Sequence, residues 1–307
     1  MITIPLLVSL LILVSVSAFA PITTSNSGRS STSIYQYATG TQKFVEVTDL
    51  RSPRDVYSME QWAIQYGLQK ADGVELYSTN DEMKDYSLYT STGIAPGQSV
   101  LFVPSDIVLN SEVIAQEFSD GSLSAAEESL IQIDNQARFP QGAEYRLPLF
   151  RLMTKILVEY EKGTDSMYFP WLNSLPRQFY NGVSMTKVCF RCLPPYAGWL
   201  TQNERINCSH FTNALRMGYV PLNQETIYNK QVTQWAYNCA LTRFHEIYSP
   251  TRAKLIGPMA DMINHAAEPN CEIQVDGSGN MNVVALYDIQ PNEALSISYG
   301  EPRNPTP

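Results

Sequence analysis

The pattern of apolar and polar positions indicates one helix among strands within residues 44–110. Four apolar residues share helical spacing: Val56, Met59, Trp62 and Ala63. Ser52 is a plausible N-cap and Pro53 suits the first helical turn, so we predict a helix that ends at Gly67. The apolar run at 100–103 precedes a proline, as expected of a short buried strand.

Helical periodicity dominates the middle of the chain, from about residue 111 to 246. Ser124 and Glu127 have the spacing of a capping box. A long apolar stripe ends at Gly163 and consists of Leu149, Phe150, Leu152, Met153, Ile156, Leu157 and Tyr160. Asn223 is placed to cap another long helix, whose apolar residues are Ile227, Trp235, Ala236, Cys239 and Ala240. These stripes predict a helical region whose apolar faces form a core.

Alternation of apolar and polar residues returns near the C-terminus. Residues 272–275 alternate, 276–280 are rich in turn formers, and 281–286 continue the alternation, which predicts a hairpin with a five-residue loop. Residues 94–102 and 289–297 share the pattern I-x-P-[GN]-x-x-[VL]-x-[FI]. This internal echo predicts a strand, a turn and a strand at both places. Two strand-rich ends therefore flank a helical middle.

Length and charge narrow the classes of function. With 307 residues and 44% hydrophobic content, the chain is long enough for one large domain or two modest ones. Lys and Arg total 21 against 30 Asp and Glu, which gives a net charge of −9. We therefore predict no nucleic-acid partner, whereas a cationic protein segment that carries a lysine suits this charge. Solubility alone is the simpler explanation of the negative balance.

The first 20 residues have the pattern of a signal peptide. The apolar run from Ile4 to Val16 is followed by small residues and is too short to span a membrane. A buried strand or helix is the alternative, since the run is not preceded by Lys or Arg. Residues 18–21 resemble the junction in plastid presequences of algae with secondary plastids, and a transit-like segment at 21–40 is expected to be disordered and removed. We predict a plastid location without stable membrane insertion.

Five cysteines are spread along the chain, at positions 189, 192, 208, 239 and 271. The odd count predicts no disulfide framework. Cys189 and Cys192 have the spacing of a redox or zinc pair, but a second pair is missing and the three histidines form no ligand cluster. We therefore predict buried or idle thiols and no metal site.

Three motifs near the C-terminus carry the most specific signal. They are Pro-Met-Ala-Asp at 258–261, Asn264-His265 and Tyr299-Gly300. In this order they resemble the signatures of the SET-domain lysine methyltransferases, and within them of the Rubisco large-subunit methyltransferase branch. Segments at 159–176 and 235–244 are also similar to text of that branch.

The resemblance implies an α+β fold: a SET domain of short β-sheets with a C-terminal pseudoknot, interrupted by a helical insertion. We accordingly divide the chain into an N-terminal SET part at 44–110, a helical insertion at 111–235 and a C-terminal SET part at 236–307. The family continues into a helical substrate-binding lobe where this chain stops, so either the lobe was lost or the sequence is incomplete.

The same resemblance implies a protein N-methyltransferase that uses S-adenosyl-L-methionine and acts on a protein that presents a lysine. Such a transfer is an in-line displacement at carbon, so the enzyme mainly aligns the amine with the cofactor. Lysine has a pKa near ~10.4, and an apolar channel that desolvates its ammonium favours the neutral nucleophile. Tyr299 is the implied catalytic residue, because its hydroxyl would hydrogen-bond the incoming nitrogen. Whether it is also the base stays open.

Five residues form the implied cofactor-binding set: Asn264, His265, Asp261, Arg243 and Tyr86. The resemblance places the adenine edge on backbone groups of the Asn-His pair, and the methionine moiety on the Asn264 amide. It makes Asp261 a helper that orients this loop, and it turns Arg243 toward the cofactor carboxylate or the substrate. Two alternatives remain: Asn264 ties together a crossing of chain segments, and Arg243 forms an ion pair on a helix surface.

One departure from the family pattern concerns the cofactor turn. The family's Gly-x-Gly falls on Asp85-Tyr86-Ser87, so both glycines are absent. Glycine there would permit positive φ and a close approach of the backbone to the cofactor. A non-catalytic SET-like module that binds proteins is therefore the alternative function, and histidine is an alternative acceptor.

Overall fold

The computed structural model describes residues 44–78, 85–118, 120–137, 142, 145–247 and 253–300. The signal and transit segments predicted at 1–40 lie outside this part of the chain.

Short strands at both ends of the described chain flank its helices. The helices are α1 (Val56–Gln65), α2 (Ser111–Glu117), α3 (Ser122–Ala137), α4 (Leu147–Lys162), α5 (Phe169–Ser174), α6 (Lys187–Arg191), α7 (Pro195–Met217), α8 (Gln224–Tyr228) and α9 (Lys230–Arg243). The strands are β1 (Gln69–Lys70), β2 (Val74–Ser78), β3 (Tyr86–Thr90), β4 (Ser99–Val103), β5 (Leu109–Asn110), β6 (His245–Ile247), β7 (Ala253–Ile256), β8 (Asn264–His265), β9 (Cys271–Val275), β10 (Met281–Ala285), β11 (Glu293–Ala294) and β12 (Ser296–Ile297). The predicted α+β class is confirmed. The boundary predicted at residue 235 falls inside α9.

The strands form four small sheets, and three of them combine strands from both ends of the chain. The strand orders are β1-β4-β10-β9, β11-β3-β2, β5-β7-β6 and β12-β8. The predicted hairpin is present as β9 and β10, which pair antiparallel from Cys271 opposite Ala285 to Val275 opposite Met281. Because β4, β3 and β5 each pair with a C-terminal strand, the two ends fold side by side as predicted.

The two echo segments meet each other in the fold. Ile94 and Ile289, the first residues of the two patterns, form an antiparallel bridge with N–O distances of 3.0 and 2.9 Å. The fourth residues, Gly97 and Asn292, both have positive φ, at 77° and 68°. Each follows a proline, which is the signature of a type II turn. The sequence repeat is therefore accompanied by a repeat of backbone conformation at the turn.

The predicted start of α1 is wrong. The helix begins at Val56, and not after Ser52 and Pro53, because the side chain of Asp55 accepts a hydrogen bond from the backbone N–H of Ser58 at 3.0 Å. Asp55 is thus the N-cap, and it satisfies a donor that the first helical turn leaves unpaired.

One further helix start was predicted incorrectly, and one predicted helix begins where expected, after Asn223, but is divided in two. Helix α3 begins at Ser122, so Ser124 lies inside it, and Glu127 forms an ion pair with Arg151 at 2.7 Å. The long helix predicted from Asn223 is divided into α8 and α9. The division falls at Asn229, whose side chain accepts hydrogen bonds from the first backbone N–H groups of α9.

Helix α4 joins the strands to the helical region. Its predicted apolar stripe is buried except for the partly buried Tyr160, and it ends before Gly163 as expected. It packs against α9, α2, α5 and β7, so one continuous core supports the C-terminal end of α9, where Arg243 lies. None of the described helices is long and apolar enough to cross a membrane.

Candidate active site

The C-terminal segment lies directly beside strand β8. Strand β12 pairs with β8 in parallel, with Ser296 opposite Asn264 and Ile297 opposite His265. This register places Tyr299 next to His265, since the two ring centroids are 5.3 Å apart and the Tyr299 N–H lies 3.1 Å from His265 Nδ1. The phenol of residue 299 and the 264–265 pair thus share one site. That the segment threads through a loop, as a pseudoknot requires, stays a prediction.

The hydroxyl of Tyr299 is fixed by the backbone. It donates a hydrogen bond to the carbonyl oxygen of Ile263 at 2.7 Å. Burial raises the pKa of Tyr299, Asp261 raises it further, and Arg243 opposes both effects. The phenol therefore keeps its proton at neutral pH. Because that proton is already donated, the oxygen can only accept an additional hydrogen bond.

Asn270 ties the chain segments together at this crossing, and Asn264 does not. The Asn270 Oδ1 accepts from the Ser296 N–H at 2.8 Å, and its Nδ2 donates to the Ala294 carbonyl at 2.8 Å and to Glu293 Oε1 at 3.0 Å. Asn264 is exposed, and its amide has no hydrogen bond to any group that the structure describes. The alternative structural role for Asn264 is therefore wrong, and its amide is available to a ligand.

A tight turn before β8 directs Asp261 inward. Met259 is fully buried and has a φ of 70°, a conformation that bulky residues seldom adopt. Gly257 accepts a hydrogen bond from the Asp261 N–H at 2.9 Å, and a Cβ at Gly257 would lie 2.6 Å from Met281 Sδ. The Pro-Met-Ala-Asp motif thus specifies a compact turn that packs against β10.

Asp261 connects this turn to two helices. Its fully buried carboxylate accepts from Trp171 Nε1 at 3.2 Å, and Arg243 Nη1 donates to its backbone carbonyl at 2.9 Å and lies 3.5 Å from Oδ2. Burial raises the pKa of Asp261, and Arg243 opposes this shift. The Arg243 side chain is only 13% exposed, so the alternative of an ion pair on the helix surface is wrong. The predicted role of Asp261, to orient the loop, fits these contacts.

Tyr86 belongs to the same neighbourhood through Arg54. The Arg54 guanidinium lies 5.0 Å from the centroid of the Tyr86 ring, and its Nε donates to the Ser174 carbonyl at 2.6 Å. The pKa of Arg54 is lowered to about 9, first by burial and then by Arg243, while Asp261 raises it. All six residues predicted for the site are therefore brought together. Arg54 and Trp171 were not predicted as members.

The missing glycines leave no backbone strain at residues 85–87. None of these three residues has positive φ, and Tyr86 and Ser87 lie in β3, where Ser87 pairs with Tyr77. Ser87 is 1% exposed, and its hydroxyl has no hydrogen-bond partner among the described groups.

The structure also locates the cysteines and potential metal ligands. All five cysteines are free thiols, with Cys189 and Cys192 exposed and the other three buried. Within the described ranges, no three His, Cys, Asp or Glu side chains are grouped so that they could hold a metal ion.

The chain belongs to the SET domain family, because the family's sequence pattern matches residues 85–300. Similar solved structures include the SET domain of LSMT bound to lysine and AdoHcy, with a TM-score of 0.57, 14% identity, and coverage of 80% of this chain and 54% of that chain. Rubisco LSMT bound to AdoMet gives a TM-score of 0.58 at 13% identity, covering 80% of this chain and 53% of that chain. The SET domain of LSMT bound to MeLysine and AdoHcy has a TM-score of 0.61 and 14% identity, and the match covers 80% of this chain and 53% of that chain.

These comparisons confirm the predicted SET fold. At such low identity they establish the fold alone, and the chain spans about half the length of the proteins it resembles. No curated protein matches the sequence.

Proposed function

We propose that this protein is an S-adenosyl-L-methionine-dependent protein-lysine N-methyltransferase, similar to the Rubisco large-subunit methyltransferase branch. One observation carries the proposal: in a chain of the SET family, the hydroxyl of the half-buried Tyr299 lies beside the Asn264-His265 strand. The solved structures that share this fold hold AdoMet or AdoHcy, and some hold lysine or methyllysine.

The polar groups of the site fit the proposed cofactor. S-adenosyl-L-methionine, when bound, supplies a methyl group on a sulfonium sulfur, which is an efficient leaving group. The exposed Asn264 amide offers a donor and an acceptor to the methionine moiety. Arg243 is held close by on Asp261, and its charge suits a ligand carboxylate. These residues would hold the cofactor on one side of Tyr299.

Tyr299 positions the amine and does not remove its proton. Because its own proton is donated to Ile263, the phenol oxygen accepts a hydrogen bond from the N–H of a neutral lysine, which directs the nitrogen lone pair away from the tyrosine. Burial raises the pKa of Tyr299, so a tyrosinate base is disfavoured at neutral pH. The lysine ammonium therefore loses its proton to water before transfer.

Methyl transfer can be tested directly. The protein is incubated with labelled S-adenosyl-L-methionine and a plastid protein extract, and mass spectrometry identifies any labelled protein and whether lysine or histidine carries the methyl group. We expect Tyr299→Phe to lower turnover by roughly 10²–10³-fold, as for the loss of one positioned hydrogen-bonding group, while calorimetry shows nearly unchanged cofactor affinity. Equal turnover of the two proteins would refute the role of Tyr299. An absence of cofactor binding by the wild-type protein would refute the enzyme.

The non-catalytic SET-like module stays the alternative function, because the two absent glycines favour it. None of residues 85–87 has positive φ, and Tyr86 and Ser87 lie in β3, so this strand forms without glycine. Cofactor binding by the wild-type protein decides between the two functions.

We also propose that the protein resides in a plastid. The apolar run at 4–16 and the junction-like residues at 18–21 support this location. Fusion of residues 1–43 to a fluorescent protein tests it, since plastid fluorescence is expected, and cytosolic fluorescence would reject the proposal.

A further inference from the structure

A groove with a basic rim lies between α6 and α7, apart from the candidate active site. Its volume is about 510 Å³, and it is lined by one face of each helix. Lys187, Phe190 and Arg191 are spaced as neighbours on α6, and Arg205 and Ile206 belong to the corresponding stripe of α7. The groove thus combines three cations with an apolar floor.

The three cations of this groove have no anionic partner. Among the residues that the structure describes, Lys187, Arg191 and Arg205 pair with no carboxylate. Lys187 and Arg191 are exposed, and the Arg205 guanidinium is held 5.0 Å from the centroid of the Phe190 ring. An aromatic ring orients this guanidinium but does not neutralise its charge.

The surrounding sequence reverses the charge balance of the whole chain. Residues 176–223 contain one acidic residue, Glu204, and five Lys or Arg residues, whereas the whole chain has 30 acidic and 21 basic residues. The Glu204 carboxylate accepts a hydrogen bond from the Gly182 N–H at 3.1 Å, and it is not part of the groove lining. An acidic ligand that the rest of the surface repels is therefore attracted here.

Exposed aromatic residues continue this surface along α7. Trp199 lies three residues before Gln202 of the groove, and its ring stacks on Tyr196 with centroids 6.1 Å apart. The two side chains are 44% and 56% exposed. Trp, Tyr and Arg are the residues enriched in protein interfaces, where they supply most of the binding energy.

We propose that the groove between α6 and α7 is a docking site for an acidic segment of a protein partner. Carboxylates of the segment pair with Lys187, Arg191 and Arg205, and its apolar side chains pack on Phe190 and the adjacent Trp199. A nucleic acid also carries anions and stacking groups, but a chain of net charge −9 repels a long polyanion. The observations therefore favour a short acidic peptide segment.

Direct binding tests this proposal without cofactor or methyl transfer, so failure here leaves the proposed enzyme untouched. The probe is a fluorescein-labelled, lysine-free peptide of alternating Glu and Leu, and the readout is fluorescence anisotropy of the full chain at low ionic strength. We expect binding that weakens with added salt, and weaker binding of a Gln-Leu peptide of the same length.

Matched charge reversals locate the site. Arg191→Glu and Arg51→Glu both alter an exposed arginine and change the net charge equally. We expect Arg191→Glu to weaken peptide binding about fivefold, and the double variant Lys187→Glu/Arg191→Glu about twenty-fivefold, since each exposed pair contributes modestly. Arg51→Glu should weaken peptide binding only slightly, through the change in net charge alone.

Three outcomes would overturn the inference. The first is an absence of peptide binding by the wild-type protein at low salt. The second is an equal loss in Arg191→Glu and Arg51→Glu, which would indicate an effect of overall charge. The third is tighter binding of a single-stranded oligonucleotide of the same charge, lost in the same variants, which would make the groove a nucleic-acid site.

Discussion

At the scale of single residues, two asparagines of the site have different roles. Asn270 is engaged with backbone groups of the C-terminal segment, whereas the Asn264 side chain is exposed and makes no described hydrogen bond. Asn264 is therefore the asparagine that can serve a ligand without any cost to the fold.

We expect Asn264→Ala to weaken S-adenosyl-L-methionine binding about fivefold, because one hydrogen bond contributes about 1 kcal/mol. Its melting temperature should stay unchanged, since the side chain is exposed and makes no described hydrogen bond. Calorimetric titration and thermal unfolding measure the two effects. Asn213→Ala, which alters an exposed asparagine on α7, is the control. Unchanged cofactor affinity in Asn264→Ala would contradict the assigned contact.

Most residues of the site could be predicted from sequence because they lie in short continuous motifs. The others belong to the site only through contacts between distant parts of the chain, which the sequence does not reveal. Asp261, His265 and Tyr299 lie within short signatures whose order is itself informative. Trp171 contacts Asp261 across 90 positions of the chain, and its neighbours in sequence give no sign of this. Arg54 likewise reaches Tyr86 only through tertiary packing.

At the scale of elements, caps decide where helices begin, and several polar residues compete for this role. Asp55, and not Ser52, is the N-cap of α1. Asn229 is the N-cap of α9, so a second helix begins where one long helix was expected. Periodicity located α1, α4 and α9 correctly, because it reports the buried face. Periodicity does not show which of several nearby polar residues is the N-cap, so the starts of these helices could not be predicted.

The echo segments give a matched test of turn geometry. Gly97 and Asn292 occupy equivalent positions with positive φ, and a Cβ at Gly97 would meet no atom within 4 Å. Gly97→Ala should therefore lower the free energy of unfolding by about 1 kcal/mol through backbone strain alone. Gly97→Asn should cost less, because Asn tolerates this conformation. Urea denaturation compares them with Gly277→Ala, a site with open space and no positive φ. Equal stability of the Ala and Asn variants at residue 97 would contradict this account.

The crossing of β12 with β8 depends on Asn270. Asn270→Ala removes the hydrogen bonds to Ser296 and Ala294, so the free energy of unfolding should fall by about 2–3 kcal/mol. Methyl transfer should also fall, because the same segment positions Tyr299. Asn270→Asp keeps the acceptor for Ser296 but places a carboxylate against Glu293 and the Ala294 carbonyl, so it should not recover the lost stability. Chemical denaturation gives the order of the variants, and a wild-type stability for Asn270→Ala would exclude this role.

At the scale of the whole molecule, the pairing of the two chain ends was predictable, but the division into four sheets was not. Strands such as β8 and β12 contain two residues each, which is too short for any periodicity. Their position follows from the parallel register and from Asn270, both of which are tertiary contacts.

The titration of Glu204 should contribute to the pH dependence of the free energy of unfolding. Burial raises the pKa of Glu204 to about 7, from an ordinary value of 4.5, and the Gly182 N–H opposes this shift only partly. Between these two values the folded protein holds a proton that the unfolded chain has lost, so the contribution of Glu204 to stability falls as pH rises from 4.5 to 7. The shift corresponds to about 3 kcal/mol.

Glu204→Gln stays neutral at every pH and should abolish this decline. We expect the variant to match the wild-type protein near pH 4.5 and to exceed it by up to about 3 kcal/mol above pH 7. Denaturation at a series of pH values measures the difference in free energy of unfolding between the two proteins. Other carboxylates, such as Glu159, also change stability with pH, but they titrate equally in both proteins, so their effects cancel in this difference. Glu128→Gln, an exposed glutamate on α3, should leave the profile unchanged. A difference that is constant with pH would mean that the pKa of Glu204 is the same in the folded and unfolded states, which would contradict the shift.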